Sequence, residues 1–241
     1  MSDEVWLCWS SGKDSAWTLR ALQRDPGVRI TTLVTTMNAA FDRVAMHAVR
    51  RTLVERQAAA AGMALELVEI PWPCSNTQYE AAMAALVDKA TAAGVTQMAF
   101  GDLFLEDVRA YREKMLDGTG VDPLFPIWGR DTRELAHEMI SGGLEAIVAC
   151  IDPKVLGREY VARRFDSEFL ASLPEGVDPC GERGEFHTFA CAGPMFDTPI
   201  PVRAGEIVKR DGFVFADILP AGDTDPRGTQ PSEKEQPCSS Q

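Results

Sequence analysis

The chain has 241 residues, of which 45% are hydrophobic and 25% charged, a composition typical of a folded globular protein with a substantial core. Its formal net charge of −12 argues against a general nucleic-acid binder, because such a surface repels a phosphate backbone. No apolar run approaches the roughly 20 residues that span a bilayer, and the acidic start is unlike a secretory signal, so we expect a cytoplasmic protein with no membrane-spanning segment.

Apolar, strand-like runs alternate with helical patterns through the first 151 residues. Strands separated by helices at this spacing form a parallel sheet with helices on both faces, so we predict an α/β fold. Ligands of such sheets bind at the carboxyl ends of the strands. Strands are predicted at 5–9, 28–36, 64–71, 96–102 and 145–151, and helices at 15–24, 44–62, 76–94 and 131–143.

The pattern changes after about residue 172. Prolines and glycines crowd the stretch 174–201, and the stretch 206–218 predicts a β-hairpin that turns at Asp211-Gly212. The last stretch contains no large apolar residue and is predicted to be disordered. We therefore predict an α/β domain over 1–172, a small loop and hairpin region over 173–220, and a disordered tail over 221–241.

A short polar segment, Ser10-Ser11-Gly12-Lys13-Asp14-Ser15, lies between the first predicted strand and the first predicted helix. Backbone N–H groups at a helix N-terminus bind anions, Gly12 lets a ligand approach closely, and Lys13 adds a cation suited to phosphate. We expect this lysine at an exposed helix start. Asp14 beside a bound polyphosphate requires an intervening cation, which makes it a candidate Mg²⁺ ligand; alternatively it stabilises the helix start as an N-terminal acid.

This polar segment, called the cradle below (residues 10–15), resembles the PP-loop of the ATP pyrophosphatases, which share the HUP-type α/β fold. A second segment, DPCGERGEFHTF at 178–189, is similar to the GE-x-GE-[FY]-H-T segment of the diphthine–ammonia ligase family. HAVR at 47–50, PWPCSN at 71–76 and the stretch 100–113 also resemble its bacterial branch. One departure is Ser11, which stands where the family commonly has glycine. The resemblance spans roughly residues 4–218.

The resemblance implies an ATP- and ammonia-dependent amidation of a carboxylate, with release of AMP and pyrophosphate and with ATP and Mg²⁺ as cofactors. Lys13, Asp14, Glu185 and His187 are expected to act in catalysis, with Asp14 as the Mg²⁺ ligand. The last two are expected on a loop, within roughly 10–12 Å of Lys13. Nucleotide-binding residues are expected to be Ser10, Ser11, Gly12, Lys13, Asp14, Ser15, Thr35, Thr36, Met37, Gly101 and Asp102, and acceptor-side residues to be His47, Arg50, Glu182, Glu185, His187 and Thr188.

Other interpretations of the same residues stay open. The cradle is also compatible with a capped helix start, and the loop with one tied down by its own side-chain hydrogen bonds. His47, Arg50 and Arg51 share a predicted helical face, which is either solvated or turned toward a ligand. The scattered cysteines favour free thiols over a zinc site.

Two alternative functions accompany the ligase hypothesis: a non-catalytic adenine-nucleotide binder, and an ATP-dependent RNA-thiolating enzyme. The acidic charge and the absence of a CxxC pair count against the second. The acceptor is either a small molecule or a protein, ammonia is the expected nitrogen donor, and a homodimer is left open.

Overall fold

The computed structural model describes residues 3–44 and 48–222, and all structural statements concern these residues. They form two sheets, six α-helices and one 3₁₀ helix, Arg158–Tyr160. The strands are β1 Asp3–Cys8, β2 Val28–Asn38, β3 Arg43–Val44, β4 Ala64–Ile70, β5 Gln97–Ala99, β6 Asp122–Leu124, β7 Glu145–Ile151, β8 Phe186–Ala192, β9 Val202–Arg210 and β10 Phe213–Pro220. The helices are α1 Lys13–Gln23, α2 Arg51–Ala60, α3 Asn76–Ala92, α4 Glu106–Leu116, α5 Thr132–Ser141 and α6 Ser167–Ser172.

The first sheet is parallel apart from one short strand. Its parallel order is β4-β2-β1-β5-β6, and β3 pairs antiparallel with the end of β2. Along β1, Val5 and Leu7 enter the core shared with α1 and α2, whereas Trp6 enters the core shared with α3. This alternation buries both faces of the sheet under helices. The predicted HUP-type α/β fold class is confirmed.

The second sheet is antiparallel, in the order β8-β7-β10-β9. The prediction that 145–151 belongs to the parallel sheet is wrong, since this strand pairs antiparallel with β8 and β10. An apolar run that is buried on both faces indicates a strand but does not indicate its partner. The predicted boundary near residue 172 therefore falls inside the segment that builds the second sheet.

Two local predictions in the chain have opposite outcomes. The hairpin turn is confirmed: Asp211 and Gly212 join β9 to β10 with φ values of 51° and 88°, as a two-residue turn of this type requires. The helix predicted over 44–62 is wrong at its start, because α2 begins at Arg51 and Arg50 precedes it in extended conformation. Arg50 and Arg51 therefore do not share a helical face as predicted, and His47, the third residue of that prediction, lies outside the described residues.

Within residues 3–44 and 48–222, no helix is both long enough and apolar enough to cross a membrane. The predicted disordered tail lies outside the described residues apart from Ala221 and Gly222.

Candidate functional site

A cavity of about 370 Å³ opens at the carboxyl ends of β1, β2 and β5, a volume typical of small-molecule sites. The start of α1, the inner faces of α3 and α4 and the 181–188 segment complete its wall. The lining residues are Cys8, Trp9, Ser10, Lys13, Asp14, Ser15, Val34, Thr36, Val44, Tyr79, Met83, Phe100, Gly101, Asp102, Arg112, Gly181, Glu182, Phe186, His187 and Thr188.

The cradle turns sharply at Ser11, which has a φ of 71°. This left-handed conformation costs a non-glycine residue about 1–3 kcal/mol, so other contacts must hold it. The Ser11 carbonyl accepts hydrogen bonds from Gln57 Nε2 at 3.0 Å and from the Ala190 backbone N–H at 2.9 Å. Trp9 Nε1 in turn donates to Gln57 Oε1 at 2.8 Å. The second sheet and α2 thus fix the shape of the cradle.

The N-terminus of α1 faces the cavity without a cap from its own capping residue, and a side chain from β8, Thr188, pairs its first N–H, that of Lys13. Gly12 occupies the capping position and carries no side chain that could accept from the first N–H groups of the helix. The Ser11 hydroxyl is buried and has no hydrogen-bond partner. Ser11 is absent from the cavity wall, so the groups suited to an anion there are the helix start itself and the hydroxyls of Ser10 and Ser15.

The expectation that Lys13 is exposed is wrong, since the residue is only 1% exposed. Its Nζ donates to Asp14 Oδ2 at 2.8 Å and to the Cys180 carbonyl oxygen, and it lies 5.2 Å from the centroid of the Phe186 ring. Burial by itself would lower the pKa of Lys13, but the carboxylate of Asp14 raises it above its ordinary value, so the side chain stays charged.

The second segment contacts the cradle directly. The backbone N–H of Lys13 donates to Thr188 Oγ1 at 3.0 Å, and the Cys180 carbonyl accepts from the same residue's ammonium group. Glu182 Oε1 accepts from the Leu103 N–H at 2.8 Å, which ties the segment to the turn after β5. His187 and Thr188 lie in strand β8 rather than in a loop, so that part of the loop prediction is wrong.

Glu185 lies differently from what its predicted catalytic role would require. Its two carboxylate oxygens accept from the backbone N–H groups of Asp178, at 3.1 Å, and Arg183, at 3.0 Å. The residue is 5% exposed and is absent from the cavity wall. Its carboxylate shapes the 178–185 turn, as in the alternative in which the loop is tied down by its own hydrogen bonds.

The remaining predicted residues are divided between the cavity wall and the core. Thr36, Gly101 and Asp102 line the cavity, whereas Thr35 and Met37 are fully buried. Thr35 Oγ1 donates to the Trp9 carbonyl at 2.9 Å, a contact that holds β2 against the end of β1.

Gly101 and Arg50 were predicted to bind ligands, but each also has a structural role. A Cβ on Gly101 would lie 3.1 Å from the backbone nitrogen of Ser15, so glycine permits the end of β5 to pack on the start of α1. Arg50 Nε and Nη2 donate to the two carboxylate oxygens of Asp217 at 3.0 and 2.6 Å, which joins α2 to β10.

Two titratable groups of the second segment on the cavity wall, Glu182 and His187, have shifted pKa values. Burial, reinforced by the nearby charges of Asp14 and Asp102, raises the pKa of Glu182 to about 7 against the opposing hydrogen bond from Leu103. Burial, together with the charge of Lys13, lowers the pKa of His187 to about 4, which keeps the imidazole neutral at pH 7. Shifts of this kind concentrate at functional sites.

Arg112 of α4 is a cavity residue that the sequence analysis did not single out. Its guanidinium carbon lies 5.0 Å from the centroid of the Phe100 ring, and its Nε is 3.6 Å from Asp102 Oδ2. Both of those polar atoms are buried and lack a hydrogen-bond partner. The only signal in the sequence is the position of this arginine in the 100–113 stretch, after a predicted strand end.

Comparisons with known proteins agree with the resemblance seen in the sequence. The family model described as "Diphthamide synthase C-terminal domain" matches residues 131–219, from the start of α5 through β10. The chain is 29% identical over 131 residues to the diphthine–ammonia ligase of Bos taurus, 27% over 168 residues to that of Mus musculus, and 35% over 106 residues to that of Danio rerio. The chain is therefore diphthine–ammonia ligase-like.

The diphthine–ammonia ligase matches are partial. They cover 52%, 66% and 41% of this chain, and 48%, 62% and 40% of the three relatives in the same order. The chain thus spans about half the length of the curated ligases it matches. The predicted relation to this family is confirmed, and the activity of the ligases is carried to this chain as a proposal.

Proposed function

We propose that the chain is an ATP pyrophosphatase that adenylates a carboxylate and amidates it with ammonia, releasing AMP and pyrophosphate. The observation that supports this most strongly is the double contact of Lys13, whose backbone N–H binds Thr188 and whose ammonium group binds the Cys180 carbonyl. ATP bound at the cradle would have its phosphates beside Glu182 and His187, the two titratable groups of the second segment on the cavity wall.

The cradle would bind the phosphates of ATP. The N-terminus of α1 supplies backbone donors, and Ser10 and Ser15 supply hydroxyl groups on the cavity wall. Lys13 and Arg112 are the cations on the cavity wall. Fixed donors and cations in a buried site stabilise the charge that develops on the leaving pyrophosphate, with no reorganisation when the bond breaks.

The site fits Mg²⁺ only together with the nucleotide. Asp14 Oδ1 is buried without a hydrogen-bond partner, while its other oxygen binds Lys13. Among the described residues, no group of three or more metal-ligating side chains occurs. Mg²⁺ commonly takes one or two carboxylates and completes its coordination with phosphate oxygens and water, which matches a single free carboxylate oxygen. When bound, the ion would neutralise charge on the phosphates.

The acceptor side needs one proton transfer. An oxygen of the acceptor carboxylate attacks the α-phosphorus of ATP and pyrophosphate leaves. The nitrogen of ammonia then attacks the acyl carbon, AMP leaves, and one proton passes from nitrogen to a base. Glu182, with a pKa of about 7, is the wall residue that would accept it, since bases with pKa values near the working pH are the most effective. His187, whose pKa is lowered to about 4, is the weaker base and would position the acceptor as a neutral imidazole.

The cavity does not favour the RNA-thiolation alternative. Sulfur transfer requires a thiolate, and burial raises the pKa of Cys8, the cysteine on this cavity's wall, to about 12. A non-catalytic nucleotide binder would use the same cradle, so only product analysis separates it from the ligase.

The test is incubation of the chain with ATP, Mg²⁺, ¹⁵N-ammonium and a mixture of cell carboxylates, with nucleotides separated by chromatography and amides detected by mass. AMP and pyrophosphate in equal amounts, with ¹⁵N in a carboxamide, support the proposal. ADP and phosphate would overturn the assignment of the bond. Bound but unchanged ATP would identify the non-catalytic binder.

A further inference from the structure

A second, smaller cavity of about 130 Å³ adjoins the first, and His187 and Val44 line both. The two cavities differ in chemistry. The first contains the charged and hydroxyl groups of the cradle, together with aromatic rings of its own. The second has no cradle residue, and its wall carries the charged Arg43, Arg210 and Asp211 beside four aromatic rings: Phe41, Trp72, Phe213 and Phe215. His187 therefore stands between the cradle and this group of rings.

The second cavity is built where the two sheets meet. On one side, Cys150 pairs with His187 on β8 and with Phe215 on β10, so these three residues form a row across one face of the second sheet. The row leads from the first cavity into the second. On the other side lie the chain segments that follow β2 and β4, which carry Phe41 and Trp72 at the carboxyl edge of the first sheet.

The rings at the mouth of the second cavity are unusually open to solvent. Phe41 is 44% exposed and Trp72 is 53% exposed, and their centroids lie 6.2 Å apart in an edge-to-face arrangement. The guanidinium of Arg210 lies 5.2 Å from the Phe41 ring and 5.2 Å from the Phe215 ring. Exposed large aromatic side chains that line a cavity mark a surface that gains free energy by covering them with a ligand.

We propose that the second cavity is the acceptor subsite and that it takes a small carboxylic acid bearing one aromatic ring. The inference rests on the proposed function and adds the substrate class. A cavity of this order accommodates about one six-membered ring. With the ring among Phe41, Trp72 and Phe215, the carboxylate would point past His187 into the first cavity, where the phosphates of ATP are proposed to bind.

Three features agree with this orientation. The neutral imidazole of His187 would donate one hydrogen bond to a passing carboxylate without the charge attraction that would retain it in the second cavity. Arg43 is engaged by Asp217 at 2.9 Å and by the Ala48 carbonyl. Arg210, the other cation on this wall, lies 3.8 Å from Asp211 and over the Phe41 and Phe215 rings, so its charge is partly balanced beside the proposed ring site. The faces and edges of aromatic rings favour another ring over an aliphatic chain of equal size.

The test is a binding titration of the nucleotide-free full chain with phenylacetate, followed by the fluorescence of Trp72. Three of the other four tryptophans, Trp6, Trp9 and Trp17, are at most 6% exposed, and Trp128 is half-buried. Acetate is the matched probe without a ring. A saturable change with phenylacetate and none with acetate is expected, and Trp72→Phe should remove the signal. Equal responses to both probes, or a signal that survives Trp72→Phe, would overturn the proposal.

Variants of the wall test the location. Phe41→Ala, at a partly exposed residue that folding tolerates, and Phe213→Ala should each weaken phenylacetate binding by about tenfold, since each removes most of an aromatic side chain from the contact. Val155→Ala, at a 42% exposed apolar residue outside both cavities, should leave it unchanged. Unchanged affinity in both ring variants would refute the location.

Failure of this inference is distinguishable from failure of the proposed function. The titration contains no ATP, so it reports on the subsite whether or not the chain forms AMP. If AMP and an amide form from aliphatic carboxylates while phenylacetate neither binds nor reacts, the proposed function stands and the aromatic subsite is wrong.

Discussion

The backbone N–H of Lys13 donates to Thr188 Oγ1 at 3.0 Å, although the two residues are 175 positions apart. This bond joins the start of α1 in the parallel sheet domain to β8 of the antiparallel sheet. It also occupies one of the N–H groups that a helix start leaves unpaired. The two segments that resemble the ligase family therefore depend on each other for their geometry.

Replacing Thr188 with valine tests that dependence. Valine keeps the branched shape but removes the acceptor, and an unsatisfied buried N–H costs about 1–3 kcal/mol. We expect the unfolding free energy to fall by that amount in denaturant titrations, and the Kd for ATP to rise. Thr91→Val is the control, because that hydroxyl donates to the Val87 carbonyl on α3, away from the cavity. Equal ATP affinity in wild type and Thr188→Val would contradict the prediction.

Variants of the ion pair between Lys13 and Asp14 should affect turnover and stability differently. Lys13→Met keeps most of the side-chain volume but leaves the Asp14 carboxylate without its 2.8 Å partner. We expect turnover to fall by a factor on the order of 10² or more, as for loss of a preorganised charge, and stability to fall by up to about 3–5 kcal/mol.

Adding Asp14→Asn to Lys13→Met separates the two effects. The uncharged amide no longer needs a cation, so thermal unfolding should show recovered stability, whereas turnover should stay low. Turnover restored together with stability would mean that Lys13 acts only through folding.

The raised pKa of Glu182 should make the free energy of unfolding depend on pH. Burial raises its pKa to about 7 in the folded chain, above its ordinary value of 4.5, so the folded state binds more protons between these pH values. The contribution of Glu182 to the unfolding free energy therefore decreases as pH rises from about 4.5 to 7 and stays reduced above that range.

Glu182→Gln removes this ionisation while keeping an oxygen for the Leu103 N–H. We expect the variant to gain stability relative to wild type at pH 8 but not at pH 4, with about 2–4 °C in Tm for each kcal/mol relieved. The exposed Glu206→Gln is the control. Tm differences that do not change with pH would count against the assignment.

Replacing Arg112 should weaken nucleotide binding, whereas replacing its neighbour Arg109 on α4 should not. Arg112→Met removes one of the two cations on the cavity wall, and we expect the Kd for ATP, measured by calorimetry, to rise about tenfold or more. Arg109→Met is the matched control, because Arg109 binds Glu113 at 2.7 Å and stacks over Phe125 and Trp128 outside the cavity. Similar losses in both variants would show that the helix, not the charge, matters.

Much of the fold and part of the site could be predicted because their signals are local. β-Branched residues predicted β2 and an alternating pattern predicted β4. Asp211-Gly212 predicted the hairpin turn, since few residues adopt positive φ at two successive positions. The cradle was found because a glycine and a lysine after a strand suit a phosphate-binding helix start. The cavity does include Lys13, Asp14, Glu182 and His187.

What the sequence by itself determined is the alternation of strands and helices, the cradle at the end of β1, and the relation to the ligase family. The tertiary structure alone decided that 145–151 joins the antiparallel sheet, that Lys13 is buried under Phe186, and that Glu185 binds the amides of its own turn. Each of these depends on which distant segment packs against a residue. The spacing of apolar residues indicates that a side chain is buried. It does not indicate which distant segment buries it, because many different partners bury the same apolar residue equally well.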